Sequence, residues 1–240
     1  MRKFRSIGLV LVAVAATAFA MQDEFLLTRS YKEGDKDTYK LAVTANMSLG
    51  SADINMLMNQ TVKKVYETGE ADIETQIAEM RMSFGGQEMP MPNQDMPAMV
   101  QKFDKFGRPV GQPQGASGGM AGGVMSQMSF MRYAGFTGEK PLKVGETLKI
   151  DVKDEKEESH TTGTVLLEKI TDGVAFITSN LEVKNKQTGS GAPMKIAMKS
   201  QVLVASGKLH KVDGDVTNLP DTGQGMTVDS VKLLMERTSK

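Results

Sequence analysis

The chain has 240 residues, with 29 basic and 29 acidic side chains, 19 methionines and no cysteine or tryptophan. The lack of cysteine excludes disulfides, thiolate metal sites, a cysteine nucleophile and a lipid-modified N-terminal cysteine. Because the charges balance and both signs are interspersed, the composition argues against a basic surface for nucleic acid or for an anionic membrane.

Residues 1–20 are predicted to be a cleavable signal peptide. Arg2, Lys3 and Arg5 precede an apolar run at residues 7–20, which ends in Ala18-Phe19-Ala20. A basic start, a short apolar stretch and an A-x-A end are what a signal peptidase recognises. The run is shorter than the roughly 20 apolar residues of a membrane-spanning helix. We therefore expect cleavage near Ala20, no membrane segment after it, and a periplasmic or secreted bacterial protein.

Residues 21–112 predict a first set of β-strands. Tyr39, Leu41 and Val43 alternate with mostly polar residues, which is typical of a strand with one buried face. The pattern recurs at Met56 and Met58. Residues 68–70 and 105–108 contain turn-forming residues and are predicted to be hairpin tips.

Residues 113–140 are predicted to be a Gly- and Met-rich linker. Before it, prolines at residues 90, 92 and 97 argue against a central strand over residues 85–97, and residues 111–123 are predicted to form a flexible loop. Val124, Met125, Met128 and Met131 have helical spacing, which predicts one short helix over residues 124–133.

Residues 141–240 predict a second set of strands, in which Leu148, Ile150 and Val152 alternate with charged residues. Residues 171–173 contain Asp-Gly and predict a hairpin turn, and residues 205–208 predict another. The charged run at residues 151–158 is interpreted as a solvated hairpin. The spacing of Val231 and Leu233 favours a last strand over the segment 227–237. Leu234 lies on the opposite side of such a strand, so a helix is the alternative interpretation.

The turn signals recur in the same order, which indicates an internal repeat. Gly34 and Gly145, Thr61 and Thr164, and the glycines at 107 and 207 are separated by 111, 103 and 100 residues. The predicted fold is therefore mainly β: a curved antiparallel sheet, half-barrel-like, built from two sequence-similar β repeats with one short helix between them.

The second repeat opens with Lys140-Pro141-Leu142-Lys143-Val144-Gly145-Glu146-Thr147, and both repeats open with a glycine followed by an acidic residue. These features resemble a family of uncharacterised bacterial exported tandem-β-repeat proteins, similar in architecture to the half-barrels of periplasmic lipoprotein carriers. The resemblance implies a curved sheet around an apolar cavity and a hydrophobic small molecule or lipid as ligand. It implies no catalytic residues.

Methionines suggest a second hypothesis. Met89, Met91, Met96 and Met99 have the Met-x-Met and Met-x-x-Met spacings of exported copper proteins, and thioether sulfur suits Cu(I). The alternative is that methionines fill apolar surfaces or line an adaptable cavity. Core filling is the plainer interpretation of Met47, Met56, Met58, Met194 and Met198, which lie on predicted strand faces.

The sequence predicts no enzyme. His160 and His210 are fifty residues apart, and no acid, base or nucleophile forms a recognisable set with them. The expected function is non-enzymatic: binding or carrying a hydrophobic ligand. The alternatives are Cu(I) binding through the Met-rich loop, or a structural interaction protein of the cell envelope.

Overall fold

A computed structural model describes residues 24–89, 97–115, 141–154, 159–184, 191–219 and 228–239, and within them the chain forms strands and no α-helix. The predicted signal peptide, most of the predicted linker and the predicted helix at 124–133 lie outside these residues. No helix in the described part is long and apolar enough to cross a membrane. The strands are β1 Lys36–Met47, β2 Gly50–Val65, β3 Ala71–Phe84, β4 Gln87–Met89, β5 Met99–Phe103, β6 Pro109–Gln114, β7 Thr147–Asp154, β8 Ser159–Thr171, β9 Val174–Lys184, β10 Met194–Leu203, β11 Leu209–Thr217 and β12 Val228–Arg237.

These strands form one open, curved antiparallel sheet in the order β6-β5-β3-β2-β1-β12-β11-β10-β9-β8-β7, with β4 paired to β3 beside this path. The first half, β1–β6, and the second half, β7–β12, are each meanders between neighbours. The two halves join where β1 pairs with β12, from Tyr39 opposite Arg237 to Met47 opposite Val228. The prediction of a mainly β, curved antiparallel sheet is confirmed.

The sheet buries one face, called here the inner face. Successive strand residues point to opposite sides, so every second residue faces inward. In β1 the buried positions are Asp37, Tyr39, Leu41 and Val43, and in β10 they run with the same spacing from Met194 to Val202. The predicted apolar faces of these strands are therefore the ones that form the core.

The two halves begin with turns of the same geometry. The Gly34 N–H donates to the Val62 carbonyl oxygen (2.9 Å), and the Val62 N–H donates to the carbonyl oxygen of the residue after Gly34 (2.9 Å). Gly145 and Leu167 make the corresponding pair of bonds, at 2.7 and 3.2 Å. Both glycines have a φ of 83°, in the left-handed region that favours glycine.

Each of these turns leads to an irregularity in the neighbouring hairpin. The register between β2 and β3 shifts between Val62 and Lys64, and that between β8 and β9 shifts between Leu167 and Lys169. One extra residue on one strand is the definition of a β-bulge, which bends the strand and increases its twist. The bulges therefore add curvature at matching places in the two halves.

Two details differ from the sequence prediction or settle an open choice. The C-terminal segment is a strand, since Val231, Leu233 and Met235 are buried in β12. Gly111 was predicted to begin a loop, but it lies within β6, which extends to Gln114. That prediction was wrong because Pro113 lies in the outermost strand, where a missing N–H removes no bond to a neighbour.

Candidate functional site

The inner face is lined by aliphatic and methionine side chains from both halves, which form one continuous cluster. Its buried methionines come from three strands, β2, β10 and β12: Met56, Met58, Met194, Met198 and Met235. Methionine is unbranched and polarisable, so it adapts to irregular neighbours. The described core is thus deformable as well as apolar.

Burial is graded along β1 and β12. Across the sheet, a row of paired residues is at most 5% exposed at every position: Ile177, Ser200, Val212, Met235 and Leu41. Four residues further along β1, Ala45 is only partly buried, and its opposite neighbour Val231 is 8% exposed. The second half stays buried in that same row, with Val216 0% and Ile196 1% exposed, so the looser packing is confined to β1 and β12.

Three hydroxyl groups on this inner face are buried without a hydrogen-bond partner among the described residues. They belong to Tyr39 in β1, Ser179 in β9 and Ser200 in β10, and all three residues are at most 2% exposed. Leaving such a group unpaired costs about 1–3 kcal/mol. Buried water or a polar group of a bound molecule would satisfy them.

The segment that precedes β1 crosses one end of the sheet. Phe25 exchanges two backbone hydrogen bonds with Leu142, at 2.8 and 2.9 Å. The Arg29 N–H then donates to the Lys105 carbonyl at one hairpin tip, and the Ser30 N–H donates to Ser206 at another. We call residues 25–30 the crossing segment. With Leu27 buried in the core, it ties both halves together.

Beneath the crossing segment lies a buried ion network that also joins the halves. The Asp37 carboxylate accepts hydrogen bonds from Arg237 Nε (2.6 Å) and Ser239 Oγ (3.2 Å), and it pairs with Lys208 Nζ (2.9 Å). Lys208 also pairs with Asp35 at 3.2 Å. Only 8% of the Asp37 side chain is exposed, so the pairs are shielded from solvent.

Two opposing effects act on the ionisation of this network. Burial raises the pKa of Asp37, but hydrogen bonds and charge from Lys208 and Arg237 outweigh burial, so the pKa lies below its ordinary value. Burial lowers the pKa of Lys208, but its hydrogen bond and ion pair with Asp37 and Asp35 raise it above the ordinary lysine value. Both groups are therefore held in their charged forms.

Two tyrosines lie beside the network. Burial raises the pKa of Tyr31 to about 12, against a lowering effect of the nearby Arg29 charge. The Tyr31 hydroxyl donates to the Asp104 carbonyl oxygen (2.9 Å), and the Arg29 guanidinium carbon lies 5.6 Å from the ring centre. Burial also raises the pKa of Tyr39. Both phenols therefore stay protonated and can donate hydrogen bonds at neutral pH.

Two of the four predicted copper residues, Met89 and Met99, lie in the described part of the chain, and they are far apart. Met89 ends β4 opposite Met82 and is 45% exposed, whereas Met99 begins β5 opposite Thr75 and is buried. Because Met82 and Thr75 are seven residues apart on β3, the two lie about 23 Å apart at about 3.3 Å per residue. That distance is too long for both sulfurs to bind one ion in this arrangement. Met91 and Met96 lie outside the described residues, so the four-methionine site stays a prediction.

Sequence reasoning missed that Met82 is the cross-strand neighbour of Met89, because the pairing depends on a turn whose register the spacing does not reveal. The histidines lie on different strands, His160 on β8 and His210 on β11. The His160 Nε2 lies 2.7 Å from Asp151 Oδ1 at an exposed position. No group of three potential His, Asp or Glu metal ligands occurs in the part of the chain that the structure describes.

Two shallow recesses lie at the surface. One, of about 500 Å³, is next to the β3–β4 turn, and the other, of about 380 Å³, is next to the turn that precedes β7. Polar and charged side chains line both recesses, among them Asn55 and Arg81 in the first and Glu24 and Lys143 in the second. Neither recess includes the buried hydroxyl groups of the inner face.

Comparisons with known proteins add little to this geometry. No protein-family model matches the chain, and no curated protein matches it. Among solved structures, DynF from the dynemicin biosynthesis pathway of Micromonospora chersina aligns over 87% of this chain and 83% of its own, with 7% identity and a TM-score of 0.23. A score this low carries no argument about fold or function.

Proposed function

We propose that this chain is an exported, non-enzymatic protein that binds or carries an apolar ligand on the inner face of its sheet. The observation that carries the proposal is the combination of a methionine-rich apolar face with three buried hydroxyl groups that lack partners in the described residues. A core that served only for stability would gain from replacing these hydroxyls with apolar groups.

Partial burial on β1, β2 and β12 supports the same proposal. Ala45, Ile54 and Val228 pack against the core but are only partly buried, which offers an apolar ligand a place to enter. Methionines next to this region, such as Met80 opposite Met56, can change rotamer to admit an acyl chain. The crossing segment covers the opposite end of the inner face through its hydrogen bonds to both halves.

Export is the second part of the proposal. Its support is the N-terminal sequence, with a basic start, a short apolar run and Ala18-Phe19-Ala20, together with the lack of cysteine. Cleavage after Ala20 would leave only a few residues before the crossing segment at Phe25. A periplasmic or secreted location suits a carrier that meets lipids outside the cytoplasm.

The third part is that the two halves arose by duplication. The matching opening turns and bulges support it, and they align Val62 with Leu167, an offset of 105 residues. The sequence pattern aligned this region at an offset of 103. A slip of two residues keeps every side chain on the same face, which is why pattern matching alone does not detect it.

The proposed binding is tested by blocking the partly buried region of the inner face on β1. Ala45 faces inward on β1, whereas Ala42 on the same strand faces outward. We expect the wild type to bind a fluorescent sixteen-carbon acyl probe and Ala45→Phe to bind it at least fivefold more weakly. The matched control Ala42→Phe should bind as the wild type does.

Lipid carried by the protein from its own source is the complementary measurement. Native mass spectrometry of the gently purified protein should show a bound apolar molecule that is released by organic solvent. If the wild type neither carries such a molecule nor binds the acyl probe, the proposed function is wrong. Circular dichroism of both variants establishes that the sheet is intact.

A further inference from the structure

Two donors near the covered end of the inner face are unused. Tyr39 is 2% exposed and its hydroxyl has no partner in the described residues, and the Nε of Arg29 is likewise buried and unpartnered. Both groups lie close enough to influence the pKa of Tyr31. Arg29 belongs to the crossing segment and Tyr39 to the inner face of β1. Burial raises the pKa of Tyr39 and the charge of Arg29 opposes that rise, so the two side chains are neighbours.

The charges around these donors do not cancel. Arg237 and Lys208 are matched by Asp37 and Asp35 in the ion network. The nearby Asp104 carboxylate is held by Arg108 at 2.6 Å. Arg29 makes no ion pair with a carboxylate of the described residues, which leaves one positive charge in excess. A partly buried arginine without a counter-ion is costly, and a bound anion would offset that cost.

We propose that the apolar ligand is a long-chain carboxylic acid, whose carboxylate is received by Arg29 and Tyr39 while its chain lies along the inner face past Leu27 and Leu41. This inference rests on the proposed function and names its ligand class. A carboxylate carries the single negative charge that the excess requires, and it accepts hydrogen bonds from a guanidinium and a phenol together.

Other head groups fit less well. A phosphate monoester carries up to two negative charges at neutral pH, so it would leave a net negative charge buried beside Asp37. A neutral ester or alcohol would leave the Arg29 charge unmatched. Ordered water would satisfy the donors' hydrogen bonds without balancing the charge.

The test compares hexadecanoic acid with hexadecanol, which share a chain length and differ in charge. Binding of each is measured by displacement of the fluorescent acyl probe from the full mature chain. We expect the wild type to bind the acid at least tenfold more tightly than the alcohol. Arg29→Gln should abolish this preference by weakening acid binding alone, and Tyr39→Phe should reduce acid binding several-fold. The matched control Arg81→Gln, at an exposed position on β3, should change neither.

The outcomes separate the two proposals. If acid and alcohol bind the wild type equally, or if Arg29→Gln weakens both to the same extent, the carboxylate site is wrong while apolar binding stands. If neither ligand nor the probe binds, the proposed function itself fails. Thermal unfolding of Arg29→Gln and of Arg29→Lys, which retains the charge, shows whether a lost preference comes from the charge or from a displaced crossing segment.

Discussion

The two halves of the sheet use equivalent residues in different surroundings. Leu167, Ala175 and Ile177 in the second half belong to the main core cluster, and each is at most 1% exposed. The first half has three residues at the same positions relative to its opening turn and bulge: Val62, Ala71 and Ile73. They form a separate small cluster, against which Tyr31, Val65 and Phe103 pack. The same local geometry therefore supports the main core in one half and a satellite cluster in the other.

The difference shows what holds the molecule together. The second half buries its bulge region in the main core, whereas the first half depends more on its connections to the second. Those connections are the β1–β12 pairing, the crossing segment and the ion network centred on Asp37. The following substitutions test whether stability is distributed in this unequal way.

Removing the carboxylate of the ion network should have the largest effect. Asp37→Ala leaves Arg237 and part of the Lys208 charge buried without a partner, and losing one member of a buried pair costs about 3–5 kcal/mol. Urea unfolding at pH 7 measures the loss. A loss below about 1 kcal/mol would contradict the view that this network joins the halves.

The network also gives stability a defined pH range. Because the pKa of Asp37 is lowered by folding, its contribution is present above the ordinary carboxyl pKa of about 4 and is lost as the pH falls through the lower folded value. Because the pKa of Lys208 is raised, its contribution is present below about 10.4 and is lost as the pH rises through the higher folded value. Asp37→Ala should therefore remove part of the acid dependence of unfolding that the wild type shows.

Truncation of the matched isoleucines should separate the main core from the satellite cluster. We expect Ile177→Ala to lower the free energy of unfolding by about 4 kcal/mol and Ile73→Ala to lower it by about 2 kcal/mol, within the range for buried isoleucine. The cavity left by Ile177 is enclosed by the main core, whereas the satellite cluster can collapse around a smaller side chain. Equal losses in urea unfolding would mean that the two environments are energetically alike.

Much of the fold could be predicted from the sequence because strand periodicity is local. Tyr39, Leu41 and Val43 alternate so regularly that the buried face of β1 follows from spacing alone. The sequence alone did not decide between a helix and a strand for the C-terminal segment, because Leu234 places an apolar side chain on the outer face, where it is 41% exposed. Only its pairing on both sides, with β1 and β11, decides in favour of a strand.

The candidate site was less accessible to prediction because it depends on long-range contacts. Arg29 and Tyr39 are ordinary polar residues in the sequence, and their donors become distinctive only when the crossing segment reaches hairpin tips more than 70 residues away. Conversely, Met89 and Met99 are close in sequence but pair with distant positions of β3. Short spacing along the chain therefore does not predict a shared site when the two residues pair at distant positions of the same strand.

The smallest expected effect distinguishes the two hairpin tips that the crossing segment passes. Gly107 and Gly207 occupy matching tips and both have positive φ, so alanine at either position costs about 1 kcal/mol of backbone strain. A Cβ at Gly107 would meet the Arg29 side chain at an ordinary 3.5 Å, whereas one at Gly207 would overlap the Thr28 carbonyl oxygen. Gly207→Ala must therefore displace the crossing segment and should cost a further 1–2 kcal/mol or so, typical of overpacking.

Hydrogen exchange should then show faster exchange of the Ser30 N–H in Gly207→Ala than in Gly107→Ala. Equal exchange in the two variants would mean that the segment is not held against the second half and does not cover this end of the inner face.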